Sequence, residues 1–174
     1  MERVLDLPIS NNTFLNDLNA GDFVYLNGII YTARDQAHKR IIELIDNGKP
    51  LPFDLKGNFI YYCGPTPIRE NNTFGSAGPT TSARMDKFAP KLLEMGLSGT
   101  IGKGQRSDNI RELCEKFSSV YLATFGGAGA YLAKTILKQE LIAFEDLGAE
   151  AVYRITVKEF PAIVAFDTKG KSIF

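Results

Sequence analysis

The sequence predicts an α/β protein with a mixed sheet and flanking helices. Apolar runs typical of strands alternate with segments whose apolar residues recur at helical spacing, and glycine-containing loops repeatedly join the two. The dipeptide Asn27-Gly28 interrupts the apolar run of residues 23–32 and is a strong β-hairpin signal, so we expect antiparallel strands in the sheet. The 174 residues, 44% of them hydrophobic, suit a single domain over residues 1–174, in which residues 1–20 form a partly extended N-terminal segment.

Local signals place the remaining elements in order along the chain. Helical spacing, bounded by capping residues or proline and by glycine, predicts helices over residues 35–47, 80–95, 107–117 and 130–137. Runs of β-branched and aromatic residues predict strands over residues 23–26, 29–32, 58–63, 97–101, 120–124, 141–144, 151–157 and 162–166. Pro161 separates the last two strands, a polar loop covers residues 69–77, and a tight turn at residues 167–170 lets residues 172–174 pair back on the sheet.

The stretch GPTTSARMD, residues 78–86, contains the strongest candidate site. Pro79 suits the first turn of a helix, so a helix that begins near Thr80 would point its free backbone N–H groups and positive dipole end outward. Thr80 and Arg84 are four residues apart and would share one face of this helix, which suits a carboxylate or phosphate. The alternative is that residues 80–82 merely cap the helix.

Three cations stand where a predicted strand gives way to a loop or helix, namely Arg34, Arg84 and Lys103. In open α/β sheets, ligands bind at the carboxyl ends of the strands, and a dicarboxylate needs two cationic partners, of which bidentate arginines are the best. Thr80 places a hydroxyl among these cations. Because nearby positive charge favours the ionised form of a hydroxyl, the cluster would suit the removal of a proton beside a carboxylate. Surface ion pairs for the arginines and an ordinary loop lysine are the alternatives.

Other polar residues near these positions are candidates for supporting roles. Asp35 can cap the first helix, and His38, the single histidine, is three residues on and faces roughly the same way. A structural hydrogen-bonding role for His38 is the alternative to a role near the substrate. The cluster Gly126-Gly127-Ala128-Gly129 lacks the GxGxxG order of dinucleotide sites, so we interpret it as close packing of helix and strand.

Composition excludes several classes of function. The 20 Lys and Arg balance 20 Asp and Glu, which argues against a nucleic-acid partner, and no apolar run approaches the length needed to cross a membrane. The N-terminus lacks the apolar run of a signal peptide. Cys63 and Cys114 are too far apart in sequence for a metal pair, and with a single histidine we expect no metal ligands in this chain and a reduced, cytoplasmic setting.

Four segments resemble the β subunit, or C-terminal domain, of class I fumarases, an architecture that L-tartrate dehydratase shares. They are GDFVYLNGIIYTARDQAHKR at residues 21–40, Gly64-Pro65, GPTTSARMD at residues 78–86 and Gly102-Lys103-Gly104. The resemblance covers essentially the whole chain in the same order. It implies a "swivelling" β/β/α domain that closes over an iron–sulfur cluster.

The resemblance also implies an activity, a cofactor and a partner. The activity is that of a hydro-lyase of the tricarboxylic acid cycle, whose [4Fe–4S] cluster is bound by three cysteines of an α subunit and acts as a Lewis acid. Arg34, Thr80, Arg84 and Lys103 match the family's substrate contacts, and Thr80 matches the base that takes the C3 proton of malate. Asp35, His38 and Thr81 are possible supporting residues around them.

The expected function is therefore that of a heteromeric fumarate hydratase β subunit, inactive alone and working in the cytoplasm. The resemblance suggests a complex of two α and two β subunits, and an isolated chain could form a homodimer. Tartrate dehydration by the same machinery and a non-catalytic dicarboxylate-binding module are the alternatives.

Overall fold

The computed structural model describes residues 2–69 and 75–174, so residues 70–74 of the predicted polar loop lie outside the described residues. It confirms the α/β class, with a mixed sheet and flanking helices. The strands are β1 (Glu2–Leu7), β2 (Phe23–Thr32), β3 (Phe59–Tyr61), β4 (Gly99–Gly102), β5 (Val120–Ala123), β6 (Ile136–Ala143) and β7 (Val152–Phe166). The α-helices are α1 (Asp35–Asp46), α2 (Ala89–Glu94), α3 (Asp108–Phe117) and α4 (Gly129–Ala133). Short 3₁₀ helices cover Asn12–Asp17, Ser82–Met85 and Glu145–Glu150.

The sheet has the strand order β1-β2-β3-β4-β5-β7-β6 and closes on itself. Strands β1 to β5 pair in parallel, whereas β7 is antiparallel to β2, β5 and β6. The additional pairing of β2 with β7 joins β2, β3, β4, β5 and β7 into a ring. The fifteen-residue length of β7 makes this closure possible, because one strand then reaches several partners.

The hairpin predicted at Asn27-Gly28 is wrong, because β2 continues through this dipeptide as one strand. Gly28 has a φ of +104° and lies at a register shift between β2 and β7, which is the geometry of a bulge. A side chain at Gly28 would collide with the Leu7 carbonyl of β1. The Asn27 side chain accepts a hydrogen bond of 2.8 Å from the Glu159 backbone N–H. Pairing on both edges therefore overrides the local turn signal.

The C-terminal third departs from prediction in two further places. The strands predicted on either side of Pro161 form one strand, in which Pro161 lies opposite Tyr25 and its carbonyl accepts a hydrogen bond from the Thr124 hydroxyl. The last predicted helix ends at Ala133 rather than near residue 137, because β6 begins at Ile136. The pairing of the C-terminal residues is confirmed by a bridge between Phe166 and Ser172.

The interior strands position the candidate site. The side chains of β3 and β4 are buried along their whole length, as expected for parallel strands covered on both faces. Strands β2, β3, β4 and β5 run parallel, so the loops that follow them leave the same edge of the sheet. The predicted cations lie on, or just beyond, these loops.

Candidate functional site

The segment that carries Thr80 is tied directly to the ends of β3 and β4. The Thr80 N–H donates a hydrogen bond of 2.6 Å to the Tyr62 carbonyl, immediately after β3. Thr81 pairs in parallel with Lys103, and the Ser82 N–H donates to the Lys103 carbonyl at 2.9 Å. Thr80 is half-buried and Thr81 is exposed. The backbone thus brings Thr80 and Lys103 to the same edge of the sheet.

The helix predicted to begin near Thr80 is wrong. Thr81 has a φ of −56° and a ψ of 119°, which is not helical, a short 3₁₀ helix covers Ser82–Met85, and α2 begins only at Ala89. Strand-like pairing with the end of β4 overrides the preference of Pro79 for a first helical turn. Consequently the Thr80 N–H is occupied by a carbonyl, and the segment does not present a helix N-terminus to an anion.

Arg34 lies where β2 passes into α1 and is the N-cap residue of that helix. Its side chain runs past Gly64, where an added Cβ would lie 3.3 Å from the Arg34 Cδ and 3.1 Å from the Ala149 carbonyl oxygen. The Arg34 Nε is 4.0 Å from a Glu150 carboxylate oxygen, which is too far for a hydrogen bond. Both side chains are about one-third exposed, so the Arg34 guanidinium keeps donors available for a ligand.

Arg84 reaches the start of α1 through an ion pair. Its Nη2 lies 3.0 Å from the Asp35 Oδ2, and the Arg84 side chain is 54% exposed. Asp35 was predicted to cap α1, which is wrong, because Asp35 is already inside the helix and its carboxylate faces Arg84. Since Asp35 follows Arg34 in the chain, this pair holds Arg84 beside the backbone of Arg34.

Lys103 is half-buried in the turn after β4 and lies across the loop after β5. A Cβ built at Gly126 would be 3.2 Å from the Lys103 Cδ and 3.6 Å from its Nζ. Within residues 2–69 and 75–174, no carboxylate forms an ion pair with the Lys103 ammonium. The structure therefore brings Arg34, Thr80, Arg84 and Lys103 to one edge of the sheet.

His38 lies below this edge and not on it. The side chain is fully buried, and its ring packs against Tyr62 and Phe88 with centroid distances of 5.4 and 5.6 Å. The expectation that His38 faces the same way as Arg34 is therefore wrong. Burial lowers the pKa of His38 to about 4, so the ring is neutral at pH 7 and its Nδ1–H donates to the Arg34 carbonyl at 2.8 Å.

A buried network centred on Arg106 was not predicted from the sequence. Arg106 donates to Asp86 at 2.7 Å, to the Thr100 hydroxyl at 2.9 Å and to the Tyr62 hydroxyl at 3.1 Å. Its guanidinium carbon also lies 5.1 and 5.0 Å from the ring centroids of Tyr62 and Tyr121. The one signal in the sequence was Asp86, which ends the GPTTSARMD segment. Nothing local indicates that Asp86 pairs with Arg106, twenty residues later.

The same network joins two of the loops at the site. Asp86 accepts hydrogen bonds from the Arg106 side chain and from the Ser107 N–H, the latter at 3.0 Å. Asp86 follows the 3₁₀ helix that carries Arg84, whereas Arg106 and Ser107 follow Lys103. Arg106 therefore fixes the segment of Thr80 and Arg84 against the loop of Lys103.

The cysteines of this chain do not fit an iron–sulfur cluster. Cys63 and Cys114 are free, and they belong to different parts of the core. Burial raises the pKa of each thiol to about 12, so both are protonated at neutral pH, as expected for cysteines that pack in a core. Among the described residues, no group of three potential metal-ligating side chains is close enough to hold a metal ion. No helix in the described part of the chain has the length and apolarity to span a membrane.

These features define an α/β domain that presents cations and a hydroxyl at the carboxyl edge of its parallel strands. The chain belongs to the Fumarase C-terminus family, whose model matches residues 2–174, and this confirms the resemblance found in the sequence. Fumarate hydratase 2 of Leishmania major is 43% identical over 162 residues, which are 92% of this chain. The chain spans only 28% of the length of that relative.

Two further relatives are covered over most of their length. A putative L(+)-tartrate dehydratase subunit beta of Methanocaldococcus jannaschii is 42% identical over 90% of this chain and 84% of the relative. The L(+)-tartrate dehydratase subunit beta of Escherichia coli K12 is 35% identical over 99% of this chain and 87% of the relative. These names describe enzymes that add or remove water, so the family is one of hydro-lyases.

Proposed function

We propose that this chain acts as the β subunit of an iron–sulfur hydro-lyase that interconverts fumarate and (S)-malate. The observation that carries the proposal is that the segments bearing Arg34, Thr80, Arg84 and Lys103 all lie at the carboxyl edge of the parallel strands. Membership of a family of hydratases and dehydratases supports the reaction class.

In this proposal the three cations bind the two carboxylates of the substrate. Arg34 and Arg84 have planar guanidinium groups whose paired N–H donors match the two oxygens of a carboxylate, whereas Lys103 supplies a point charge. Both arginines are partly exposed, and their present carboxylate partners are side chains of this chain. A substrate carboxylate can therefore replace or join those partners without opening the core. Hydrogen bonds to charged groups contribute about 1.5–3 kcal/mol each, which suffices to orient a small diacid.

Thr80 would transfer the proton. Its oxygen takes the proton from C3 of (S)-malate while hydroxide leaves from C2, and in hydration the hydroxyl returns the proton to C3. A threonine hydroxyl is a weak base, and the surrounding positive charge stabilises its ionised form.

Thr80→Ala is the direct test of this role. We expect kcat to fall at least about 100-fold, because general acid–base catalysis typically contributes that much, while KM changes little. Steady-state rates of the complete enzyme with fumarate and malate measure the effect. The control is Thr80→Ser, which keeps a hydroxyl and should retain much more activity. Near-normal kcat for the alanine variant would refute the assignment.

We also propose that a separate α subunit or domain holds the [4Fe–4S] cluster, that the complex contains two copies of each part, and that this chain is inactive alone. The names of the tartrate dehydratase relatives, which are called subunit beta, support a partner. The cytoplasmic location stays a prediction, in keeping with the two free thiols.

Tartrate dehydration is the second candidate, because two relatives at 42% and 35% identity carry that name. Co-purification with a cluster-bearing partner, followed by rates on fumarate, malate and tartrate, distinguishes the candidates. Fumarate and malate turnover well above tartrate turnover supports the proposal, and the reverse order favours the second candidate. Diacid binding without turnover in the complete complex would instead indicate a non-catalytic binding module.

A further inference from the structure

We propose that Gly126 is a positioning residue whose missing side chain determines where the Lys103 ammonium lies. The loop after β5 would then form one wall of the substrate site, a role that was not expected from the sequence. This inference rests on the proposed function, because it assumes that Lys103 binds a substrate carboxylate.

A side chain at Gly126 would meet the distal half of the Lys103 side chain. A Cβ at Gly126 would lie 3.2 Å from the Lys103 Cδ and 3.6 Å from its Nζ. The first distance is shorter than an ordinary van der Waals contact between carbon atoms, so an added methyl group would push the Lys103 Cδ aside by a few tenths of an ångström. Gly126 itself is exposed, and its backbone is outside the left-handed region that would disfavour alanine. The cost of a side chain here therefore falls on Lys103 and not on the fold.

Lys103 depends on this contact more than the two arginines depend on theirs. Arg84 is held by Asp35 at 3.0 Å, and Arg34 lies beside Glu150. Within the described residues, Lys103 has no carboxylate partner, and a lysine side chain has four rotatable bonds. The space left open at Gly126 therefore bears directly on where this ammonium can lie before a ligand arrives.

The other end of the glycine cluster contacts the segment that leads to Thr80. The Gly129 carbonyl accepts a hydrogen bond of 3.1 Å from the Ala77 N–H. A Cβ at Gly129 would lie 3.1 Å from the Gly78 backbone nitrogen and would collide with the Ser76 hydroxyl. The sequence predicts close packing of helix and strand at these glycines. They instead admit a lysine side chain at one end and a loop at the other.

The test is Gly126→Ala in the complete enzyme with its cluster-bearing partner. We expect KM for fumarate and malate to rise about tenfold with kcat nearly unchanged, because a displaced Lys103 weakens binding of substrate and transition state alike. The inhibition constant of succinate, a diacid that cannot react, should rise by the same factor. The thermal unfolding midpoint of the chain should stay within about 1 °C, since the methyl group displaces only a flexible side chain.

Two further variants distinguish positioning from general destabilisation. Gly48→Ala, at a φ of +63° in the C-terminal turn after α1 and with nothing near its Cβ position, strains the backbone far from the site. It should lower the unfolding midpoint and leave KM unchanged. In the background of Lys103→Met, Gly126→Ala should change KM less than twofold, because its effect acts through the lysine.

The outcomes separate this inference from the proposal on which it rests. If Lys103→Met leaves KM unchanged, Lys103 does not bind substrate. The proposed role of Lys103 and the positioning role of Gly126 then both fail. If Lys103→Met raises KM but Gly126→Ala does not, the role of Lys103 in binding the substrate is supported, and the positioning role of Gly126 is overturned. An equal rise in KM from Gly126→Ala with and without Lys103 would also overturn it.

Discussion

Arg106 and Arg84 lie within one connected region of the molecule and are held in opposite ways. The Arg106 side chain is 0% exposed, stacks between two tyrosine rings and donates to three different side chains. The Arg84 side chain is 54% exposed and has one carboxylate partner, Asp35. The first guanidinium has its donors committed to the fold, whereas the second keeps donors for a ligand.

The difference follows from the cost of removing a charge from water. A buried guanidinium must be fully hydrogen-bonded, and removing one partner leaves an uncompensated charge or polar group at a cost of several kcal/mol. An exposed ion pair contributes about 0–1 kcal/mol, because water and salt screen it. A substrate carboxylate can therefore compete for Arg84 but not for Arg106. The buried network around Arg106 fixes the geometry of the loops, and under the proposed function the exposed Arg84 is the arginine that binds the substrate.

Replacing Arg106 should produce the largest loss of stability. We expect Arg106→Met to lower the free energy of unfolding by about 3–5 kcal/mol, because Asp86 and the Tyr62 hydroxyl lose their buried partner. Urea unfolding of the isolated chain measures this change. Arg84→Met is the matched control and should cost less than about 1 kcal/mol. An equal loss of unfolding free energy for the two variants would remove the distinction between the buried and the exposed arginine.

His38 is a second buried polar residue beneath the site, and its titration shows the effect of removing a charge from water. Burial, with a smaller contribution from the Arg106 charge, lowers its folded pKa from 6.5 to about 4. As pH falls from about 6.5 to 4, His38 therefore binds a proton in the unfolded chain but stays neutral in the folded chain. The stabilisation is complete above pH 6.5, and about 3 kcal/mol of it is lost by pH 4.

The variant His38→Asn tests this titration. An asparagine can donate to the Arg34 carbonyl in place of the imidazole Nδ1–H but does not titrate in this range. We expect urea unfolding of the variant to show a smaller loss of stability between pH 7 and 4.5 than the unmodified chain shows. Because the carboxylates titrate in both proteins, their contribution cancels in the comparison. Parallel pH profiles would mean that His38 is accessible to protons in the folded state.

Features with local signals were predictable from the sequence. Apolar periodicity and a terminal Asn-Gly placed α1 close to its observed range, and the same reasoning placed α3. The position of Arg34 at the end of β2 also followed, because β-branched and aromatic residues end just before it. These elements depend on contacts between residues close in sequence.

Features that depend on distant contacts were not predictable. Asn27-Gly28 and Pro161 are turn and strand-breaking signals, yet both lie inside strands, because β2 and β7 must remain continuous to close the ring. The pairing of Arg106 with Asp86 joins residues twenty apart, and no spacing rule selects that partner over the other acidic residues. The candidate site residues were thus proposed from their places at the ends of strands and from the family motifs, whereas the buried network beneath them required the structure.

The smallest expected effect concerns the Arg84–Asp35 pair and its dependence on salt. A double-mutant cycle of Arg84→Met and Asp35→Asn should give a coupling energy of about 0.2–1 kcal/mol in the free energy of unfolding at low salt. This coupling should nearly vanish in 1 M NaCl, where the Debye length is about 3 Å. The matching cycle of Arg106→Met and Asp86→Asn should retain most of its larger coupling in the same salt, because water and ions do not reach the Arg106 side chain. If the Arg84–Asp35 coupling were as large and as resistant to salt, Asp35 would hold Arg84 too tightly for a substrate carboxylate to compete, and Arg84 would belong with Arg106 as part of the fold.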